Sequence, residues 1–357
     1  MLKQTTHISA AKPAIRPLYL ALLIVGMLFL FLVNIALGSV DIPLNEIIQI
    51  LLGGEASREA WQKIVMNIRI PRAVTGILAG SALSVGGLQM QTLFRNPLAG
   101  PSVLGITAGA SLGVAIVMLA SGTITTIFAI QQLSVLGSWL IIGAASLGSA
   151  AVFLLILVIS FKIRDNVTLL IIGLMIANVT IAMVSIWQYF SNPEQIQDYL
   201  IWTFGSLGGV PFRQLWILGL VVLVGTIIAF GLSKSLNGFL LGENYAQSMG
   251  LSVNATRIWI ILSTSLLAGG ITAFCGPIGF VGIAVPHLTR SLFGTNDHRV
   301  LIPATFLMGA ILLLACDIIA QVPGSITTLP ISAVTSLVGS PVVIWVIIKR
   351  KNLQASF

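Results

Sequence analysis

Charge is what this chain has least of. Of 357 residues only 8% are Asp, Glu, Lys or Arg and 57% are hydrophobic, against about 25% charged in an ordinary soluble domain. No soluble fold of this length hides that much apolar surface, so the composition excludes one and puts the chain in a bilayer. Cysteine is scarce as well. Cys275 and Cys316 stand at apolar positions without CxxC spacing, and read as small buried hydrophobes rather than a disulfide or a metal pair. The three histidines, His7, His287 and His298, are scattered, which leaves no zinc or haem ligand set. The phosphate-cradling pattern GxxxxGK(S/T) is missing, so the chain cannot hold ATP itself and any pumping needs energy from a partner. The missing HExxH, with no clustered serine, histidine and acid, excludes an intramembrane protease.

What the chain has in abundance is long apolar runs. About 20 mostly apolar residues cross the hydrocarbon as a helix, and ten runs qualify: 18–37, 70–94, 102–121, 133–161, 168–190, 214–231, 256–275, 278–293, 301–320 and 331–348. The first lacks a small-residue cleavage site after it, so it reads as a retained helix. The expectation is an all-α polytopic protein with ten transmembrane helices, one membrane domain over 1–357, and both ends on the same side. Thirteen basic residues, among them Arg95, Arg257 and Arg290, then fall on the side of the termini. Arg58, Lys63, Arg69, Arg72 and Arg213 fall on the other. Positive charge stays inside, so the tail 1–17 and the link 232–255 are expected to be cytoplasmic. The net charge of +8 is therefore an orientation signal and asks for no nucleic acid.

Three local patterns stand out. Glycines recur within the spans, at 76 and 80 and at 105, 109 and 113; in lipid such small residues let two backbones approach closely. The stretch RNPLAGPSVLGI, 95–106, reads as a rigid hairpin in which Pro97 and Pro101 keep two helices from fusing and Asn96 caps backbone groups. In LGENYAQSMG, Leu241, Tyr245 and Met249 recur every fourth residue, with Gly242 near the start of the stretch and Gly250 just past its end, which draws one apolar stripe on a short helix. Gly86-Gly87 with Gly100-Pro101 loosely echoes Gly269-Gly270 with Gly276-Pro277, a faint sign of two inverted halves.

RIPR (Arg69–Arg72), LFRNPLAGPSVLGITAGA (Leu93–Ala110), GPIGFVGIAVPHLTR (Gly276–Arg290) and LPISAVTSLVGSPVVIW (Leu329–Trp345), in this order over nearly the whole chain, resemble the permeases of the FecCD family. These are membrane subunits of ABC importers for iron-siderophores, haem and cobalamin. The resemblance implies the type II importer permease fold with two inverted five-helix halves, in the bacterial inner membrane. It also implies a second identical or related permease, two cytoplasmic ATPases that bind ATP and Mg, and an extracytoplasmic solute-binding protein or lipoprotein. No cofactor is expected on this chain. The segment around the apolar stripe matches the family's ATPase-coupling helices, with Leu241, Glu243, Tyr245, Met249 and Leu251 as expected contacts. Arg69 and Arg72 match binding-protein docking residues, with Gln321 where similar permeases carry a third arginine and Thr328 where they show an acid. Spans three, five, eight and ten are expected to supply the path, with Gly105, Thr107, Gly109, Ser332, Thr335 and Ser336 as lining residues. The C-terminal run leans toward a siderophore cargo.

The competing reading is an ion-coupled secondary transporter. It needs acids or histidines in relay at mid-membrane, and Asp317, near the end of span nine, alone comes close. A structural role suits Asp317 better at that depth, and packing or gating suits His287.

Overall fold

Each of the ten apolar runs is occupied by a helix, but not all ten are full-length. A computed structural model of the chain describes residues 15–119, 135–163, 165–322 and 327–349; most of the expected tail 1–17, the link after span three and the last basic residues, Arg350 and Lys351, lie outside the described residues. In chain order the helices are α1 (Ile15–Ala36), α2 (Leu44–Leu51), α3 (Glu59–Ile64), α4 (Ile70–Leu93), α5 (Ile106–Leu119), α6 (Val135–Lys162), α7 (Asn166–Phe190), α8 (Pro193–Thr203), α9 (Phe212–Gly231), α10 (Ser233–Leu240), α11 (Glu243–Ser248), α12 (Val253–Cys275), α13 (Val281–Phe293), α14 (His298–Ala320) and α15 (Ile331–Lys349). A π-turn over Val65–Arg69 makes α3 and α4 continuous.

Among the described residues, seven helical stretches are long and apolar enough to cross a membrane. Runs three, eight and ten are not among them: α5 is described as far as Leu119, the apolar helix of run ten counts over 331–345, and α13 has 13 residues. At 1.5 Å per residue α13 reaches about 20 Å, short of a hydrocarbon core of about 30 Å. Hydropathy runs on through the breaks that precede α5 and α13. Before α5 the chain makes a 3-10 turn at Pro101–Leu104 and passes through Gly105 at φ +76°; before α13 the chain is non-helical from Gly276 to Phe280. The hairpin before α5 is as rigid as its composition asks. Asn96 Oδ1 accepts the Leu98 N–H at 2.9 Å, and His287 Nε2 lies 2.8 Å from the Pro97 carbonyl.

α4 is the centre of the bundle. In its most apolar window 83% of the residues are buried, against 22% in α7 and 17% in α1, whose large side chains face outward. Glycine makes this possible. A Cβ at Gly80 would stand 2.1 Å from the Gly309 carbonyl oxygen of α14, and one at Gly87 would stand 1.8 Å from that of Gly282 in α13. Backbones in such contact gain dispersion energy that lipid tails cannot supply to a bulkier crossing. The same device joins α5 to α6, where Gly109 and Gly113 meet Gly148 and Ala144. Cys275 and Cys316 are both buried.

Candidate functional site

Two polar clusters and a cavity divide the chemistry of the molecule. The first cluster lies at the end of the bundle that carries Arg95, Arg257 and Arg290, called the basic end below. There the link between α9 and α12 folds into the short helices α10 and α11. Gly242, at φ +104°, takes the turn between them, a conformation that costs other residues dearly. Leu251 packs over Gly238, where any Cβ would collide with its Cδ1 at 2.5 Å. This contact holds the pair together. Leu241, Tyr245 and Met249 are 62%, 52% and 50% exposed, but the single helix expected through all three does not form: Leu241 closes α10, Gly242 turns the chain, and Tyr245 alone lies inside α11, so the exposed apolar surface is built around the turn.

Glu243 turns its carboxylate inward, accepting Arg257 Nη2 at 3.1 Å and Asn166 Nδ2 at 2.5 Å. It secures α11 to the bundle while its side chain stays 30% exposed, so the bond to Arg257 leaves the expected ATPase contact open. Arg257 is 1% exposed and also donates to the Ile163 carbonyl at 3.1 Å. α10 is secured separately. Asn237 donates to Asp297 Oδ1 at 2.8 Å and accepts the His298 N–H at 2.9 Å. His298 Nδ1 stands 2.7 Å from the same Asn237 oxygen, so Nδ1 carries the proton and Nε2 faces the Thr92 hydroxyl at 2.8 Å. Asn166, Asn237, Arg257 and His298 were not expected at this site. Asn166 and His298 had one signal in the sequence, a polar side chain at the first position of a long apolar helix.

The second cluster is at the opposite end. Asp317, 1% exposed, accepts Arg72 Nε at 3.0 Å and Nη2 at 2.8 Å, Asn34 Nδ2 at 2.9 Å and Gln321 Nε2 at 2.9 Å. The arrangement ties α1, α4 and α14 together and is the structural role expected of Asp317. Arg69 is 5% exposed. It donates to the carbonyls of Ile35 and Ala36 at 2.8 and 2.9 Å and to that of Val40, groups that the end of α1 leaves without helical partners. Of the three residues expected at a binding-protein contact, Arg69 and Gln321 are buried with donors turned into the chain. Arg72 keeps 18% side-chain exposure.

Between the ends, α5, α7 and α8 enclose a cavity of about 430 Å³ lined by Ser102, Thr107, Ser111, Thr180, Gln188 and Tyr199 among others. Its walls are hydroxyls, an amide and apolar groups without a formal charge. Ser102, Ile181 and Ser185 are exposed, so it opens on the outside of the chain. Of the six residues expected to line a path, Thr107 alone faces this cavity. Gly105 and Gly109 are spent on helix contacts with Gly173 and Gly148. Thr335 is 2% exposed, and the hydroxyls of Thr335 and Ser336 return to the Ser332 carbonyl within α15. For Gly109 the correction has a steric reason: its face is filled by α6.

Comparison with known proteins covers nearly the whole chain. The sequence model of the FecCD transport family matches residues 26–349. The hemin transport system permease protein HmuU of Yersinia pestis is 33% identical over 334 residues, 93% of this chain and 97% of that one. The vitamin B12 import system permease protein BtuC of Serratia proteamaculans is 34% identical over 338 residues, 94% of both chains. Among solved structures, an ABC transporter of metal-chelate type in an inward-facing conformation superposes with a TM-score of 0.80 at 26% identity, covering 93% of this chain and 99% of the other.

Proposed function

The chain belongs to the FecCD transport family, the multi-pass permease subunit of an ABC importer for metal chelates, and from that membership we propose the following working arrangement. Ten crossings form two inverted halves of five, in a bacterial inner membrane, with both termini and the basic end cytoplasmic. A second permease, identical or homologous, faces the open cavity and completes the path. Two ATPases dock on α10 and α11 of the pair. An extracytoplasmic binding protein docks at the opposite end, with Arg72 as this chain's contact. ATP-driven closure of the ATPases moves α11, the two permeases rock, and the chelate passes along neutral walls that offer it no deep trap.

The observation that carries this reading is the exposed triad Leu241, Tyr245 and Met249 on a short helix pair at the basic end. An ion-coupled transporter has no use for such a face, and its one candidate relay residue, Asp317, is already saturated by Arg72, Asn34 and Gln321. The test is Tyr245→Asp with Met249→Asp. The double variant is expected to insert normally, lose the ATPase on mild-detergent purification and lose uptake. Wild-type uptake by that variant would falsify the arrangement.

For the cargo, a metal tetrapyrrole comes first. HmuU and BtuC are named for hemin and vitamin B12, both of which hold a metal in a macrocycle, whereas the siderophore leaning rests on the C-terminal run alone. Uptake of labelled haem, cobalamin and a ferric siderophore by cells carrying only this importer decides among them. Accumulation of the siderophore alone would reverse the order.

A further inference from the structure

The exposed face of α11 is where a push arrives; the side chains behind it fix where the push goes. We propose that Asn166 is the positioning residue that couples movement of α11 to α7, the helix that walls the cavity. Glu243, Asn166 and Arg257 then act as one rigid joint. The proposal rests on the importer reading above.

Asn166 is the first residue of α7. Its amide nitrogen donates to Glu243 Oε1 of α11 at 2.5 Å and to the carbonyl of Leu93, the last residue of α4, at 2.7 Å. One amide thus meets three elements. Arg257 closes the joint from α12. Its Nη2 lies 3.1 Å from Glu243 Oε1 and its Nη1 3.1 Å from the Ile163 carbonyl, just past the end of α6. The start of α7 is therefore held through Asn166 and the end of α6 through Ile163, with the same carboxylate at the focus. Bonds to a carboxylate are short and strong, and a guanidinium that is 1% exposed cannot leave its partner without stranding a charge in a medium of low dielectric. The joint is stiffer than the contacts around it.

What lies beyond the joint gives it a purpose. Ala177, Thr180, Ile181, Val184, Ser185 and Gln188 of α7 line the cavity. A helix is a rod of 1.5 Å per residue, so a displacement at Asn166 tilts that whole wall. α12, which also ends in the joint through Arg257, contributes nothing to the lining of this cavity. Only about a fifth of the α7 window is buried within the chain, which leaves the helix fewer packed neighbours to resist tilting than α4 has.

The experiment uses the complete importer with its own ATPase in liposomes, and reads ATP hydrolysis and cargo moved per ATP, with haem as the probe. Asn166→Asp sets a second carboxylate against Glu243. The variant is expected to retain its ATPase and hydrolyse ATP at the wild-type rate, since position 166 is not on the docking face, while cargo per ATP falls at least ten-fold. Adding Glu243→Gln to the same chain restores a donor–acceptor pair with the roles exchanged and keeps one carboxylate in the joint beside Arg257, but not the bond to the Leu93 carbonyl, and is expected to return part of the lost cargo per ATP. Unchanged cargo per ATP in Asn166→Asp, or a double variant no better than the product of its singles, overturns the joint. Should Asn166→Asp fail to fold, Asn166→Cys with Glu243→Cys, bridged by a short bis-thiosulfonate linker, decides the matter. A rigid joint transports while bridged. If bridging stops transport and a reductant restores it, the two residues separate during the cycle and the proposal falls. Failure of the importer reading looks different: the wild-type chain itself brings down no ATPase.

Discussion

At the opposite end of the bundle the buried member of the ion pair is the acid, Asp317 at 1% exposure, while its partner Arg72 keeps 18%; at the basic end the buried member is the base, Arg257 at 1%, while Glu243 keeps 30%. Asp317 unites long helices that already touch along glycine surfaces, and three side chains saturate it. Arg257 secures a helix of six residues, too short to persist by itself, whose outer face is left bare. The same chemistry makes a frame at one end and a handle at the other. The difference lies in what each pair joins and in which charge water can still reach.

Arg72→Met breaks the frame and carries the largest expected effect. It strands the Asp317 carboxylate, and breaking a buried pair from one side costs about 3–5 kcal/mol, read as a fall in the unfolding midpoint in detergent. Arg72→Met with Asp317→Leu removes both charges and is expected to recover most of the loss. A single variant as stable as wild type would show that the pair frames nothing. Arg257→Met sharpens the comparison from the other end. It removes the buried charge and leaves Glu243 within reach of water, so the cost should approach that of lost charge-assisted bonds, about 1.5–3 kcal/mol. If its midpoint falls further than that of Arg72→Met, the asymmetry drawn above is mistaken. Smallest is a pH effect beside α2. Glu46 accepts the Ser57 hydroxyl and, at 2.9 Å, its backbone N–H, bonds that hold its carboxyl below the ordinary value of 4.5. A lowered folded pKa means that the contribution is complete above pH 4.5 and fades as pH falls through the folded value. Proteolysis within 53–58 is expected to accelerate only below that point, and Glu46→Gln to flatten the dependence. A rate that rises with pH instead would sink the assignment.

The legible parts of this chain are those set by neighbours in sequence. Hydropathy located a helix in each of ten runs because crossing lipid is a property of a single segment. Four-residue spacing predicted one helix through Leu241, Tyr245 and Met249, and there the fold differs: Gly242 at φ +104° separates α10 from α11, so Tyr245 alone lies within α11 and the other two stand at the helix ends. Hydropathy overran at α5 and α13, where the runs continue through Gly-Pro breaks that stop the helix but not the apolarity. Arg69 and Arg72 were legible as arginines at a helix start, and illegible in direction. Arg69 turns to carbonyls about thirty residues earlier and Arg72 to a carboxylate 245 residues later.

By itself, then, the sequence determined that the chain lives in a bilayer, which segments become helices, that it needs another protein's ATP, and which family it resembles. These depend on composition, period and motif. The tertiary structure decided which polar groups are spent inside and which remain for partners: that Glu243 holds while Tyr245 faces out, that Asp317 locks helices rather than relaying protons, and that Thr107 but not Gly109 meets the cavity. Those outcomes turn on distances between residues far apart in the chain, and an ion pair or a glycine contact is favourable only when folding has brought both of its members to the same depth in the membrane.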